Sequence, residues 1–110
     1  MPKAAAGLPP GTLILLILRV LRPGPLHGYA IAQRIRQLSS EQLSVEEGSL
    51  YPALQKALAH GWLKAEWTTS ESGREVRSYR VTAKGLKQLE TEQSDYQRMA
   101  DAIAAIFDAT

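Results

Sequence analysis

Few residues in this chain could do covalent or acid–base chemistry. Cysteine is absent, which removes thiolate nucleophiles, thiolate metal sites and disulfides together and fits a reducing cytoplasm. The two histidines, His27 and His60, stand beside a Gly/Pro turn and near the end of a helical segment, where capping or exposure is the ordinary role. No HExxH pair, phosphate-cradling glycine-rich loop or nucleophile elbow occurs. The sequence therefore predicts neither an enzyme nor a bound metal or cofactor. Recognition chemistry is better provided for. Wound as a helix at about 100° per residue, the segment from Gly48 to Gly61 puts Leu50, Leu54, Ala57 and Leu58 on one side. That leaves Ser49, Pro52, Gln55, Lys56 and Ala59 facing outward. Gln55 can pair twice with an adenine edge, Lys56 can reach guanine or phosphate, and Pro52 and Ala59 are flat or small enough for close approach to a groove. Tyr51 falls between the two faces, either half-buried with its hydroxyl on a phosphate or held as a core tyrosine.

The charge pattern agrees with an anionic partner more than the total does. The net charge is only +2, from 13 Lys+Arg against 11 Asp+Glu. Residues 1–40 nevertheless carry five bases (Lys3, Arg19, Arg22, Arg34, Arg36) and no acid, and residues 76–87 carry four more (Arg77, Arg80, Lys84, Lys87), again without an acid. Phosphate neutralisation depends on such local excess. Solvated faces would carry the same charges, so the blocks alone leave both readings open. At 110 residues, 45% hydrophobic and 22% charged, the chain suits one folded domain with a real core.

The elements that must position these residues follow from period and punctuation. Residues 1–10 are small and proline-rich and read as a flexible arm. From Gly11 to Arg22 the chain is apolar nearly all round, so this helix should be covered on two sides. Its apolar run, Leu13 to Leu18, is closed by Arg19 and Arg22, far short of the roughly 18 residues a membrane span needs; no membrane segment is expected. Pro23 and Pro25 end it. A second helix spans about His27 to Leu38, and Ser39 and Ser40 break it. The third, Gly48 to Gly61, starts either with Ser49 as N-cap, which puts Pro52 in the first turn, or from a capping box at Ser44 and Glu47, which makes Pro52 a kink. Trp62 to Thr69 and Val76 to Thr82 flank a turn over residues 70–73 and make a β-hairpin. Arg74 and Arg77 then sit at and just beyond the hairpin turn, with Lys64 and Arg80 near its base.

Thr82 is placed to cap a long helix from Ala83 to about Phe107. Its bases come early and its acids late, which opposes the helix dipole. Packing must therefore hold it. Leu86, Leu89, Gln93, Tyr96, Ala100, Ile103 and Phe107 recur at alternating spacings of three and four residues, the seam of a helix that pairs with another helix. A helix of roughly 37 Å, at about 1.5 Å per residue, is more than a small domain can cover alone.

Helix, helix, helix, hairpin, helix is the order of a winged helix-turn-helix: mainly α with a β-hairpin wing, plus here a long C-terminal dimerisation helix. At this level the chain resembles the PadR family of winged-helix transcriptional regulators, from about Leu13 to Phe107. The resemblance is carried by Gly24-Pro25-Leu26-His27-Gly28-Tyr29, Gly48-Ser49-Leu50-Tyr51-Pro52-Ala53-Leu54, Gly61-Trp62-Leu63 and Tyr79-Arg80-Val81-Thr82, four motifs in register. It implies a homodimer that binds a pseudopalindromic site on double-stranded DNA, usually as a repressor. It also implies that the C-terminal helix pairs with its mate and with the first helix of the other subunit, which adds Leu15 to the seam. Some members take flat aromatic compounds between the subunits, so Tyr96 is either a wall of such an effector space or a packed interface aromatic.

The expected division is residues 1–10 as arm, 11–82 as DNA-binding domain and 83–110 as dimerisation helix. The candidate DNA surface is Ser49, Tyr51, Pro52, Gln55, Lys56, Arg74 and Arg77, with His27, Tyr29 and Lys64 beside it. Departures from the family pattern fall at Ala30, where an acid is common, at Ala57-Leu58, and at Gly73-Arg74-Glu75 and Ser78-Tyr79, where paired arginines and paired tyrosines are usual. This wing is therefore less basic and less aromatic, and the single C-terminal helix resembles that of the short members. The competing function is a winged helix used only for protein–protein contact; the outer face around Gln55 and Lys56 discriminates the two.

Overall fold

A computed structural model describes Leu8 and residues 11–110. Apart from Leu8, the arm expected over residues 1–10 lies outside the described residues. The first helix, α1 (Thr12–Leu21), follows Gly11, whose φ of 85° few other residues would adopt. Its Ile14, Ile17, Leu18 and Leu21 are buried, and α2, α3 and α4 all pack on it. Its apolar sequence is thus covered on more than one side, while Leu13, Leu15, Leu16 and Val20 stay only partly buried. Gly24 then donates its amide to the Leu21 carbonyl (3.1 Å), turning the chain out of the helix.

A short strand follows that the sequence did not suggest. β1 (Leu26–His27) pairs antiparallel with a later strand, Leu26 opposite Tyr79 and His27 opposite Ser78. Two residues carry no alternation to detect; the strand forms because a sheet edge on β3 is open to receive it. α2 (Gly28–Leu38) buries Ile31 and Ile35. Its end is tied by Ser39, whose hydroxyl donates to the Arg36 carbonyl (3.2 Å) and accepts the Leu43 amide (3.0 Å). Ser40 and Glu41 lie in the left-handed region with φ of 55° and 68°, and Glu41 returns its carboxylate to Arg36 at 3.1 Å.

α3 (Glu47–Ala59) begins between the two expected starts, its N-cap position two residues after Ser44 and three before Ser49. Neither Ser49 nor Ser44 caps it. Glu46 holds the N-cap position without a side-chain hydrogen bond, and its carbonyl accepts both the Ser49 amide (3.0 Å) and the Leu50 amide (2.9 Å). Acids at Glu46 and Glu47 beside the positive end of the dipole supply what a hydroxyl cap would have given. Pro52 consequently lies inside the helix. The hydrogen bond it cannot make would have gone to Gly48, which is exposed, so water can satisfy that carbonyl.

β2 (Leu63–Thr69) and β3 (Glu75–Val81) form the hairpin, in the sheet order β1-β3-β2. Its turn is closed by the Ser70 amide on the Arg74 carbonyl (2.8 Å) and by Gly73 at a φ of 85°. α4 (Ala83–Ala109) starts as expected: the Thr82 hydroxyl accepts the Gly85 amide at 3.0 Å. The same hydroxyl donates to the Gly61 carbonyl (2.7 Å), and the Thr82 amide donates to the Trp62 carbonyl (3.0 Å). A Cβ on Gly85 would run into that Trp62 carbonyl oxygen. The end of α3 and the start of α4 are thereby fastened to each other through residues 61, 62, 82 and 85. No helix among the described residues is long and apolar enough to cross a membrane.

One part of the expected seam belongs elsewhere. Leu89 is 4% exposed and sits in the protomer's own core with Ile14, Leu18 and Leu21. The spacing placed it on a helix face correctly, but the first turns of α4 spend that face inside the chain. Leu86 remains partly open at 41%, and the open apolar stripe resumes at Tyr96.

Candidate nucleic-acid interface

Leu50, Leu54 and Ala57 are buried and Leu58 half-buried, so they anchor α3 by the stripe its sequence carries. The opposite side presents Ser49, Pro52, Gln55, Lys56 and Ala59, all exposed. Among the described residues the ion pairs are Arg36 with Glu41 and Arg98 with Asp95. Lys56, Lys64, Arg74, Arg77 and Arg80 have no carboxylate partner there. Their charges face solvent uncompensated, which suits an anionic ligand.

Tyr51 is fixed by Gly28. A Cβ at Gly28 would lie 2.9 Å from the Tyr51 hydroxyl oxygen and 3.2 Å and 3.3 Å from ring carbons, so only glycine lets the ring of α3 rest on the first turn of α2. Tyr51 stays 42% exposed and outside the central core cluster. Beside it, Tyr79 is buried on β3, and the Arg77 guanidinium stands 5.9 Å from its ring centroid. Burial raises the Tyr79 phenol above its ordinary pKa; the positive Arg77 works against that rise and the neighbouring Tyr51 adds to it.

These groups wall a cleft of about 510 Å³ between the start of α2, the edge of α3 and the inner face of the hairpin, with His27, Tyr29, Tyr51, Trp67, Arg74 and Arg77 on its sides. Nine of the ten expected contact residues thus divide between two connected places. Ser49, Pro52, Gln55 and Lys56 share the outer side of α3, and His27, Tyr29, Tyr51, Arg74 and Arg77 gather at the cleft; Lys64 is not brought to either. It pairs across from Arg80 and points to the other face of the hairpin from the cleft, because side chains alternate along a strand. Trp67 was missed. Leu63, Ala65 and Trp67 alternate on one face of β2, a period-two signal present in the sequence but readable as a cleft wall only once the register to Arg77 and Tyr79 is known.

A second open surface lies between α1 and α4. Leu15, Tyr96, Met99, Ala100, Ile103 and Phe107 border a groove of about 660 Å³. Tyr96, Met99, Ile103, Ile106 and Phe107 are 46–75% exposed along the free length of α4. Gln93 is exposed on the same seam.

With this geometry in hand, the family model of PadR-like transcriptional regulators matches residues 17–91. The chain belongs to the PadR-like family. It adopts the family's winged helix, mainly α with a three-stranded antiparallel wing sheet and a long C-terminal helix. Similar solved structures include a transcriptional regulator from Clostridium thermocellum, 25% identical with a TM-score of 0.79 over 86% of this chain and 92% of that one. A PadR family transcriptional regulator from Eggerthella lenta is 28% identical with a TM-score of 0.75, over 91% of this chain and 85% of that one. A further relative, an uncharacterized 37.1 kDa protein in a transposon of Streptomyces fradiae, is 36% identical over 89 residues. Those residues make up 81% of this PadR chain but only 24% of that protein's length.

Proposed function

We propose that this PadR-family regulator binds double-stranded DNA sequence-specifically as a homodimer, acting in the cytoplasm as a repressor at a pseudopalindromic operator. The observation that carries the reading is the outer side of α3, where Gln55 and Lys56 stand exposed and unpaired on a helix held rigidly by Leu50 and Leu54. A helix presented this way fits the major groove, with Gln55 and Lys56 toward base edges and Arg74 and Arg77 toward the backbone. Residues 11–82 carry this task and residues 83–110 join the two copies. The division is one of labour, since Gly85 and Leu89 tie the start of α4 into the common core.

Dimerisation is supported by the open apolar stripe from Tyr96 to Phe107, which a second α4 and the partner's α1 would cover. The adjoining groove by Tyr96 is the place where a flat aromatic effector would act on the pairing. Selecting bound fragments from random or genomic duplexes tests the reading. Two half-sites should emerge with their centres about one helical turn, or a multiple of it, apart; enrichment of no duplex over another would overturn it.

A further inference from the structure

We infer that Trp67 is itself a DNA-contacting residue, laying its indole against the deoxyribose edge of the strand that Arg74 and Arg77 hold by its phosphates. The inference rests on the DNA-binding reading above and adds to it a contact made through apolar area.

The register makes Trp67 conspicuous. Opposite pairs Leu63 with Val81, Ala65 with Tyr79, and Trp67 with Arg77 all lie on one face of the hairpin. Over the first two pairs that face is covered: Leu63 is 2% exposed and Tyr79 3%. One pair further out the covering stops, and Trp67 is 67% exposed. The inner face of the sheet thus runs on past the helices that cover it, and the largest side chain on it is the one left open. A solitary exposed aromatic needs no explanation. Here it borders the cleft shared with Tyr51 of α3, and its strand neighbours contribute cations.

The chemistry of the cleft selects among occupants. Two guanidiniums, from Arg74 and Arg77, line the cleft beside flat aromatic walls, Arg77 lying 5.9 Å from the Tyr79 ring centroid, and the carboxylate on the lining is Glu75, at the outer end of β3. A ligand with alternating anionic and apolar parts suits such a surface, and a sugar–phosphate strand has that repeat. The cleft is also continuous with the outer side of α3 through Tyr51, so a duplex seated on α3 would bring a strand to it. Because the contact is to sugar and phosphate, it should be sequence-tolerant.

The test uses a random-sequence duplex at low salt, so no operator need be known. The chain has two tryptophans, and Trp62→Phe leaves Trp67 as the sole indole emitter. Acrylamide quenching of that emission should fall severalfold when the duplex is bound. Independently, in the otherwise unaltered chain, Trp67→Ala should weaken binding to random and selected duplexes by the same factor, roughly tenfold for the apolar area lost. Trp67→Phe should recover most of it. The slope of log affinity against log salt should not change, because no charge is removed, whereas Arg77→Ala should flatten it. Unchanged quenching with duplex bound, or unchanged affinity in Trp67→Ala, would overturn the inference while leaving DNA binding intact. So would a Trp67→Ala loss accompanied by a flattened salt slope, which would mean that the wing had been disordered and its arginines lost with it. If the unaltered chain binds no duplex at all, the DNA-binding reading fails first and takes this contact with it.

Discussion

Replacing Gly28 by alanine should destabilise the protein only as long as Tyr51 is present. The added methyl would lie 2.9 Å from the Tyr51 hydroxyl oxygen, inside the closest approach a Cβ normally makes, and 3.2 Å and 3.3 Å from two ring carbons. Something must move, and the movable part is the half-exposed Tyr51 ring. Overpacking of this kind costs about 1–3 kcal/mol, and a ring at the surface falls at the low end. Against it, alanine in the first turn of α2 is favoured over glycine by about 0.5–1 kcal/mol, since Gly28 does not use a positive φ. The net expectation is a small loss of about 0.5 kcal/mol at most, or about 2 °C in Tm for a chain of this size. In a Tyr51→Ala background the clash is gone and Gly28→Ala should become stabilising by about 0.5 kcal/mol. Tyr51→Phe, which removes the nearest atom but keeps the ring carbons, should fall between. The cycle is measured by urea unfolding at one fixed protein concentration, because association shifts apparent stability. An equal cost for Gly28→Ala with and without the Tyr51 ring would show that the two elements are not docked in this way.

Other consequences concern the tail and the buried phenol. If the chain pairs through α4 as proposed, Ile103→Asp with Phe107→Asp should convert that proposed dimer to a folded monomer in sedimentation with little change in helix content, because both side chains are open in the single chain; an unaltered dimer would place the pairing surface elsewhere. Leu89→Asp should instead unfold the protomer, since it puts an unpaired charge into the core. The Tyr79 phenol is raised above its ordinary value of 10.0 by burial, so the unfolded chain releases that proton first. Its contribution to stability is therefore whole below about pH 10 and is lost as the pH climbs through the folded value. Tyr79→Phe should flatten the alkaline fall in stability, and an identical fall in the variant would refute the assignment.

Much of this architecture could be read from residue order because its signals are local. The all-round apolar α1, the leucine stripe of α3, the hairpin and the Thr82 cap each follow from a period or a single side-chain hydrogen bond. What escaped depends on contacts between distant segments. β1 exists because β3 has a free edge, and two residues cannot announce that. The start of α3 rests on the Glu46 carbonyl and on acids near the dipole, where a hydroxyl cap was the visible signal. A three-and-four spacing says that Leu89 is buried, without saying whether by its own chain or another. Alternation along β2 puts Trp67 and Lys64 on opposite faces, but only the register to β3 shows which of those faces is the cleft. The long helix begins without an acid and ends without a base in its terminal turns, and it is held, as its charge order demanded, by a cap and by packing.

The reading of bases by α3 is tested most directly by Gln55→Ala and Lys56→Ala, measured against a selected duplex and a scrambled one at the same salt concentration. Each should weaken the selected duplex by about 1–3 kcal/mol, and Gln55→Ala should leave the scrambled duplex unaffected, so that selectivity falls. Unchanged affinity and selectivity in both variants would contradict a base-reading role for this face of the helix.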